Sequence, residues 1–536
     1  MQPNQPQQNR RRPRWPVILV SVVSAAVVIE WIVLALLSGF PQSLLRRVTP
    51  PPTSVTVAAT APPINAFHAA PCPFQLGTGI VEGQRVKCGY VTVPENRSIN
   101  NGRTVRLALA IFKTPAVASD PYPVIRLDGG PGSPSLDNWA HNITSANFSQ
   151  YVFNHDLIMF DQRGTGHSQP SLNCPEFLNL QFSTINQHFS QAENEKLQLQ
   201  AARTCHDRLV QSGIDLNAYN TLENAADVRD IIHALGYKQM TLYGASYGTR
   251  LALTVTRLYP SVIHAVVLDS VYPPQKNRTD LPGSAKRVFQ VLFQACATNP
   301  TCNQRYPGLE TVFYTLVDNL KANSITFQTT DPYTNKSYTV SFAGDDLIFW
   351  LYSALYVTSL IPQLPSAIFQ IRDHNYTQLS QIYSVVEFDD TLSYGLFYSA
   401  ECSEDWAFLT KQDITKATQG ITPQIQSAFA SELQQEYDTC QIWKVKPLPA
   451  VQKQAVTSDI PTLILSGEYD PVTPPEDGML TAQTLTHSYY FLFPGMGHGE
   501  EYSDSCPSTI ISAFDDNPTQ KPSGACINAM SEPAFQ

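Results

Sequence analysis

Ser246 is a candidate nucleophile because it occupies the centre of a G-x-S-x-G sequence at residues 244–248. Residues 239–243 before it predict a short buried strand, and residues 249–257 after it, which contain neither Gly nor Pro, predict a helix. A serine on such a sharp turn holds its hydroxyl above the sheet, and small neighbours avoid collisions with the adjacent backbone. The motif alone is common by chance, so the flanking strand and helix carry the prediction.

A serine hydroxyl is a weak nucleophile at neutral pH, so it needs a general base, and the base needs an acid to orient it. In this arrangement the chain order is Ser, Asp or Glu, His. Asp470 follows a predicted strand at 461–465 and His498 follows one at 489–493, both in Gly/Pro-rich loops. A doubly wound sheet presents its site at the carboxyl ends of its strands. Asp470 and His498 are therefore the predicted acid and base, and an imidazole base predicts that activity is lost below about pH 6.

Both residues also fit simpler interpretations. Asp470 precedes Pro471 and also fits an Asx-turn or a cap. His498 is one of 11 histidines and also fits an ordinary loop residue. Their order and placement favour catalysis, and Glu468 is the acid to test if Asp470 fails.

Two backbone N–H groups are predicted to stabilise the oxyanion that forms during acyl transfer. One belongs to Tyr247, directly after the nucleophile, and the other to the loop after an early strand. Residues 128–133, Asp-Gly-Gly-Pro-Gly-Ser, form such a loop. Gly130 is the predicted donor, with Gly129 next, and a plain turn is the alternative.

The loop at residues 161–168 follows the next predicted strand, and its glycines indicate a tight turn beside the site. Arg163 and His167 are predicted to be structural rather than catalytic.

The elements that must position these residues alternate between strand and helix from Cys72 onward. A helix is predicted at residues 222–235. Strands are predicted at residues 105–112, 122–127, 156–160, 239–243, 262–268, 461–465 and 489–493. Apolar strands that alternate with helices predict an α/β fold with a doubly wound, mostly parallel sheet covered on both faces.

Residues 272–455 break this alternation with helical and aromatic runs such as residues 345–356. They predict a mainly helical cap inserted between two core strands, over the carboxyl edge of the sheet. The core then comprises residues 72–271 and 456–536, the second part ending in a cysteine-containing region.

The N-terminal sequence predicts that the protein is targeted to a membrane. Residues 1–16 contain an arginine cluster and form a predicted cytoplasmic tail, and the apolar residues 17–40 are long enough to cross the bilayer. Glu30 departs from this pattern, since a carboxylate within a membrane helix is costly. A Pro/Thr/Ala-rich linker follows at residues 41–71. The expected protein is a single-pass membrane protein with its catalytic domain outside the cytoplasm, and a secreted protein with a cleaved signal peptide is the alternative.

The 536 residues are 43% hydrophobic and carry a formal net charge of −10. Because no Lys/Arg-rich run occurs beyond the extreme N-terminus, nucleic acid is excluded as a partner. The 10 cysteines are even in number and lack C-x-x-C spacing, which indicates disulfides in an oxidising compartment rather than a metal site. Pairing of neighbours along the chain is expected, although spacing alone leaves other connectivities open.

Five motifs occur in the order seen in the α/β-hydrolase fold: residues 129–132, 161–166, 244–248, the Asp470 loop and 497–499. The chain resembles, more narrowly, the tripeptidyl-aminopeptidase/prolyl-iminopeptidase group of serine peptidases from about residue 72 to the C-terminus. The tail with Cys506 and Cys526 resembles the C-terminal region of the tripeptidyl-aminopeptidase-like members. Prolyl iminopeptidases usually have His before G-G-P-G, whereas this chain has Asp128, which favours the tripeptidyl branch.

The resemblance implies an exopeptidase that needs no cofactor and releases short N-terminal peptides from unblocked chains. A free amine requires a carboxylate near the pocket. Residues 401–405, Glu-Cys-Ser-Glu-Asp, resemble a Cys-x-Glu/Asp stretch of such enzymes, so Glu404 and Asp405 are the predicted amine anchors. Solvated surface acids beside a disulfide are the alternative.

Two other functions remain open on the sequence. A carboxylesterase or lipase would use the same triad, because the motif at Ser246 does not distinguish esters from amides. A non-catalytic binding ectodomain on a hydrolase scaffold is the remote alternative, since such proteins usually lose a member of the triad.

Overall fold

A computed structural model describes residues 65–99, 101–115, 121–388, 391–499 and 504–536. The predicted cytoplasmic tail, the predicted membrane segment and most of the predicted linker lie outside these residues. Across the described part of the chain, every helix is too short or too polar to cross a membrane.

The described residues form one large sheet, a separate two-stranded hairpin and a series of helices. The strands are β1 Phe67–Ala69, β2 Val86–Pro94, β3 Thr104–Phe112, β4 Val124–Leu127, β5 Leu157–Phe160, β6 Met240–Ala245, β7 Ile263–Asp269, β8 Ile325–Thr330, β9 Ser337–Phe342, β10 Thr462–Gly467 and β11 Ser488–Phe493. The α-helices are α1 Ser135–Asn138, α2 Phe148–Val152, α3 Pro175–Thr184, α4 Gln191–Gln211, α5 Thr221–Ala234, α6 Tyr247–Leu258, α7 Leu281–Thr298, α8 Pro300–Arg305, α9 Leu309–Ala322, α10 Gly344–Ala354, α11 Leu364–Arg372, α12 Thr377–Val386, α13 Tyr394–Glu404, α14 Lys411–Ala417, α15 Pro423–Trp443, α16 Pro475–Ala482 and α17 Ser505–Asp516.

The large sheet has nine strands in the order β1-β2-β3-β5-β4-β6-β7-β10-β11. The six strands from β5 to β11 in this order are parallel to their neighbours. The strands β1, β2 and β3 extend one edge in antiparallel pairing. Every residue of β5 and β10 is buried, as expected for parallel strands covered on both faces. The predicted α/β fold with a mostly parallel sheet is confirmed.

All seven strands predicted from the sequence are present, each with its ends within two residues of the prediction. The pattern did not predict β1, β2 or the hairpin β8–β9. The three residues of β1 lie inside the predicted linker 41–71 and pair with residues 89–91 of β2. So short a strand has no readable periodicity, and its pairing with β2 shows that the sheet begins before Cys72.

The chain between β7 and β10 is mainly helical, with the hairpin β8–β9 within it, and it contains two different hydrophobic clusters. Helices α7–α12 pack with the first half of α15 around Phe289, Trp350 and Phe429. Helix α13 and the second half of α15 instead share the core of the sheet, through Leu396 and Trp443 among others. The later part of the predicted cap, residues 272–455, therefore packs as a layer of the core.

Five disulfides join consecutive cysteines along the chain, as the sequence analysis expected. They are Cys72–Cys88, Cys174–Cys205, Cys296–Cys302, Cys402–Cys440 and Cys506–Cys526. Disulfides of this number are typical of proteins in an oxidising, extracytoplasmic compartment.

Candidate active site

Ser246 lies on the turn between β6 and α6 with φ 57° and ψ −126°. A non-glycine residue in this region costs of order 1–3 kcal/mol and persists only where its surroundings hold it. A Cβ on Gly244 would lie 2.5 Å from the carbonyl oxygen of Gly248, and a Cβ on Gly248 would lie 1.8 Å from that of Leu127. Both glycines are thus required by close backbone contacts, and the predicted strand–turn–helix context of Ser246 is confirmed.

Asp470 and His498 lie in hydrogen-bond contact, with 2.8 Å between Asp470 Oδ2 and His498 Nδ1. Asp470 is completely buried. Its Oδ1 accepts the backbone N–H groups of Val472 and Thr473, each at 2.9 Å. The Asx-turn and the histidine contact therefore coexist, since one carboxylate oxygen forms the turn and the other faces the imidazole.

Thr473 completes this contact, and sequence reasoning missed it. Its hydroxyl donates to Asp470 Oδ2 at 2.6 Å and lies 3.2 Å from His498 Nδ1. Its position three residues after Asp470 in an Asx-turn is the signal that would have identified it.

The imidazole of His498 has an altered pKa. Burial alone lowers the pKa of His498, but the charge and hydrogen bond of Asp470 raise it, and Asp269 adds to the increase. The net pKa lies above the ordinary value of 6.5. A base of this kind loses its function at a higher pH than the limit of about pH 6 that follows from an unperturbed imidazole.

The loops that carry Ser246 and His498 meet at the end of β7. The backbone N–H of Ser246 donates to the carbonyl oxygen of Asp269 at 3.0 Å. The N–H of Gly499 donates to the hydroxyl of Ser270 at 2.9 Å. Because Asp269 and Ser270 are neighbours, the candidate nucleophile and base lie at the same edge of the sheet.

The glycine loop after β4 contacts the candidate nucleophile directly. A Cβ on Gly129 would lie 3.2 Å from Ser246 Oγ, so this backbone passes immediately beside the hydroxyl. Gly130 follows with φ 109°, a conformation that favours glycine. Tyr247 is the first residue of α6, where helical N–H groups have no partner within the helix. Of the predicted oxyanion donors, Tyr247 is thus the chain neighbour of Ser246, and Gly130 follows the glycine that contacts Ser246.

Asp128 holds the base of this loop from within the core. Its carboxylate accepts Arg126 Nε at 2.8 Å and also the hydroxyl of Ser135. The side-chain amide of Gln162 donates to its carbonyl oxygen at 2.7 Å. Asp128 therefore has a structural partner, Arg126, in the preceding strand β4.

Glu404 does not have the open position expected of an amine anchor. It is buried at the end of α13, where its two carboxylate oxygens accept the N–H and the hydroxyl of Thr221, each at 2.7 Å. The same hydroxyl lies 2.6 Å from Tyr247 Oη. Glu404 thus ties α13 to α5 and α6.

Asp405 is also occupied inside the protein. It forms ion pairs with Arg250 at 2.8 Å and Lys453 at 2.6 Å, and it accepts the hydroxyl of Tyr272 at 2.5 Å. Burial raises the pKa of Asp405, but the two cations outweigh this and lower it to about 2. These contacts argue against the predicted amine-binding role and equally against a solvated surface position. The partners lie far away in the sequence, which is why residues 401–405 did not reveal them.

Arg163 has the structural role predicted for it. Its guanidinium is completely buried and forms two hydrogen bonds with the carboxylate of Asp227, each at 2.7 Å. It also donates to the carbonyl oxygens of Glu95 and Ala218. His167 forms a surface pair with Asp137 at 2.9 Å.

A large cavity of about 1640 Å³ adjoins the candidate base. Tyr356 lines it, and the centroid of its ring lies 4.9 Å from that of His498. Val472, two residues after Asp470, lines it as well. Other residues of the wall include Asp137, Arg278, Asp346, Phe349, Tyr352, Tyr383, Glu387, Phe429 and Glu432.

Three carboxylates of this wall have raised pKa values, and one of them, Asp346, accepts the backbone N–H of Ala343 at 2.6 Å. Burial raises the pKa of Glu387 to about 7, with further contributions from Asp346 and Glu432. Burial and the neighbouring Glu436 raise the pKa of Glu432 to about 7, against an opposing effect of Arg278. Among the described residues, neither Glu387 nor Glu432 forms an ion pair with a basic side chain. Sequence reasoning missed both, since they come from separate segments that meet only in the fold.

Within the described residues, one group of side chains lies close enough together to bind a metal ion: Cys174, Glu176 and Cys205. The two cysteines form a disulfide and so have no thiolate to offer.

The known proteins that this chain resembles are hydrolases and peptidases. The sequence model of the alpha/beta hydrolase fold family matches residues 122–499. The serine protease Hip1 of Mycobacterium tuberculosis is 24% identical over 82% of this chain and 86% of its own. The putative hydrolase YuaR of Escherichia coli is 24% identical over 72% of this chain and 77% of its own. The tripeptidyl aminopeptidase of Streptomyces lividans is 31% identical over 36% of each chain.

Proposed function

Because this chain belongs to the alpha/beta hydrolase fold family, we propose that it is a serine peptidase that releases short peptides from the free N-termini of peptide chains. Ser246, His498 and Asp470 form its triad, and the reaction proceeds through an acyl-enzyme. The relatives named serine protease and tripeptidyl aminopeptidase support a peptidase.

In this proposal the proton transfers involve particular atoms. Because His498 Nδ1 faces Asp470, Nε2 is the ring nitrogen left to accept the proton of Ser246. Ser246 Oγ then bonds to the scissile carbonyl carbon, whose oxygen becomes an oxyanion. The C–N bond breaks as Nε2 returns the proton to the leaving amine. Water, deprotonated by the same nitrogen, then attacks the acyl carbon. The ester bond to Ser246 Oγ breaks as Nε2 returns this proton to Oγ, and the acyl group leaves as a carboxylic acid.

The oxyanion is stabilised by the N–H groups of Tyr247 and Gly130, with Gly129 beside them. Its charge develops where the first turn of α6 and the glycine loop meet, so preorganised dipoles face it without any side-chain movement. The buried contact of Asp128 with Arg126 keeps the loop in place.

One observation carries the assignment of a peptide with a free amine. The large cavity beside the base is lined by two carboxylates, Glu387 and Glu432, that form no ion pair with a basic side chain among the described residues. A cavity of about 1640 Å³ exceeds the roughly 300–1,000 Å³ of common small-ligand pockets and accommodates several peptide residues. Burial raises the pKa of both carboxyls, and Glu432 adds to the increase at Glu387. An ammonium group beside them favours their charged forms, because it supplies an opposite charge. We therefore assign the amine anchor to Glu387 and Glu432 in place of Glu404 and Asp405.

The test compares tripeptidyl-aminocoumarin substrates with free and with acetylated N-termini. We expect efficient hydrolysis of the free substrate only, and a raised KM for it in a Glu387→Gln/Glu432→Gln variant, since neutral amides do not compensate an ammonium. Glu310→Gln, at an exposed helical glutamate, is the matched control and should behave as wild type. Equal turnover of the free and acetylated substrates would contradict the aminopeptidase assignment.

Two further assays on the same purified protein test the alternative functions, a carboxylesterase or lipase and a non-catalytic binding ectodomain. Rapid hydrolysis of acyl esters together with inert peptides would indicate a carboxylesterase or lipase. A fluorophosphonate probe should label wild type and fail to label Ser246→Ala, and an unlabelled wild type would indicate a non-catalytic binding ectodomain.

The cellular location is a further part of the proposal. Residues 17–40 anchor the protein in the membrane, with the arginine-rich N-terminus in the cytoplasm and the catalytic domain outside, where it meets external peptides. The five disulfides support an extracytoplasmic domain. Carbonate-washed membranes should retain the full chain, whereas a soluble form whose N-terminal residue follows residue 40 would indicate a cleaved signal peptide.

A further inference from the structure

The loop that carries His498 is held by the inserted region as well as by the acid loop. The backbone N–H of His498 donates to the carbonyl oxygen of Tyr356 at 2.9 Å. The N–H of the preceding Gly497 donates to the hydroxyl of Thr358 at 3.0 Å. The residues that accept these bonds follow α10, within the segment between β7 and β10.

The two segments approach so closely that only glycine fits at position 497. A Cβ there would lie 2.5 Å from the carbonyl oxygen of Leu355 and 2.6 Å from that of Tyr356. Such distances require backbone to move, so the contact is specific to the present loop sequence. The loop and residues 355–358 are therefore fitted to each other.

The side chain of Tyr356 restrains the imidazole itself. The two ring centroids lie 4.9 Å apart, with 59° between the ring planes. The hydrogen bond to Asp470 fixes one nitrogen of His498 but leaves the ring free to tilt about that bond. An aromatic ring packed against the imidazole removes this freedom, so that Nε2 keeps one direction.

We propose that Tyr356 is a positioning residue for His498, through its carbonyl oxygen and its ring. The inserted region is consequently part of the catalytic machinery for every substrate, including one too small to fill the cavity. The inference rests on the proposed function only for the assignment of His498 as the base.

The test measures hydrolysis of p-nitrophenyl acetate, a small ester, and of a tripeptidyl-aminocoumarin substrate by Tyr356→Ala and Tyr356→Phe. All rates are divided by the number of sites that a fluorophosphonate probe labels. Misplacement of a catalytic group by about 1 Å costs roughly a hundredfold, so we expect Tyr356→Ala to lose roughly ten- to a hundredfold in kcat on both substrates. The KM for the ester should change little, and Tyr356→Phe, which keeps ring and carbonyl, should recover most of kcat.

The matched control is Tyr306→Ala, which removes a half-buried tyrosine from the same inserted region. Its ring packs against Phe369 rather than the histidine loop. We expect this control to lower the melting temperature without changing kcat per labelled site. Thr358→Val removes the acceptor of the Gly497 N–H and should lower kcat less than Tyr356→Ala does.

Wild-type kcat per labelled site in Tyr356→Ala would overturn the proposal, and so would a loss in Tyr356→Phe as large as that in Tyr356→Ala. If Tyr356→Ala does not fold, Tyr356→Leu keeps apolar volume without a flat ring and should show an intermediate loss. Equal hydrolysis of free and acetylated peptides would contradict the aminopeptidase function, but it would leave the result with the ester unchanged.

Discussion

Replacement of Asp470 by Asn separates the two tasks of this carboxylate. The amide oxygen can occupy the Oδ1 position and keep both backbone hydrogen bonds, from Val472 and Thr473. The NH₂ group then faces His498 Nδ1 and donates to it, so Nδ1 must accept and the proton moves to Nε2. An imidazole in that tautomer has no lone pair for the proton of Ser246. The turn survives and the base is disabled.

The expected loss of activity arises because the side chain introduced by Asp470→Asn neither orients the imidazole of His498 nor supplies a negative charge beside it. A change of this kind in a Ser-His-Asp triad costs about 10⁴-fold in kcat. Because Thr473 can still orient the ring in part, we expect a loss of roughly 10³–10⁴-fold in kcat/KM, or about 4–5.5 kcal/mol. A raised pKa means that wild-type activity falls as the pH drops through a value above 6.5. Without the carboxylate, burial dominates and lowers the pKa of His498, so the residual activity should persist to lower pH.

The assay records kcat/KM on a tripeptidyl-aminocoumarin substrate from about pH 5 to about pH 9, with enzyme concentration taken from protein absorbance. Glu468→Gln is the matched control, because Glu468 lies two residues away and accepts the N–H of Gly495 at 3.1 Å rather than contacting His498. The Glu468→Gln control should keep the wild-type kcat/KM and the wild-type decrease of kcat/KM at acidic pH. The reasoning is refuted if Asp470→Asn keeps the wild-type acid limb, or if Glu468→Gln loses more activity than Asp470→Asn.

Three further predictions test the surrounding structure. Thr473→Val removes a hydrogen bond to a charged group worth about 1.5–3 kcal/mol and should lower kcat/KM at least about tenfold, whereas unchanged steady-state kinetics would exclude a role for this hydroxyl. Asp227→Ala leaves the buried Arg163 guanidinium without its main counter-ion and should cost about 3–5 kcal/mol in urea unfolding, with activity per labelled site retained; unchanged stability would contradict this account. Gly248→Ala places a Cβ 1.8 Å from the last carbonyl of β4 and should lower the melting temperature measured by scanning calorimetry, so a wild-type value would show that the helix can move away.

The features that the sequence predicted well are local ones. The turn at Ser246 and the loops of Asp470 and His498 depend on residues within a few positions of each other. Apolar strands such as β5 and β10 are readable because they are buried along their whole length. The strand β2 was missed because Lys87 and Gly89 interrupt its apolar pattern. Such interruptions are tolerated when a long neighbouring strand supplies the hydrogen bonds.

The surroundings of the predicted amine anchor could not be read from the sequence for a different reason. The spacing of residues 401–405 does not show that Arg250 and Lys453 would neutralise Asp405, because these cations are supplied by distant parts of the chain. Glu387 and Glu432 present the converse case. Each is an unremarkable glutamate in its own segment, and only the packing of helices around the cavity gives them a common environment.

The order of the disulfides bears on how the protein is made. Each cysteine pairs with the next one along the chain, across separations of 6 to 38 residues, and no pair encloses another. A chain of this kind can be oxidised correctly while it emerges from a translocation channel, because the first cysteine to arrive meets its native partner before any competitor. An oxidase that joins cysteines in order of appearance would therefore suffice for its biogenesis, and dependence on a disulfide isomerase should be small.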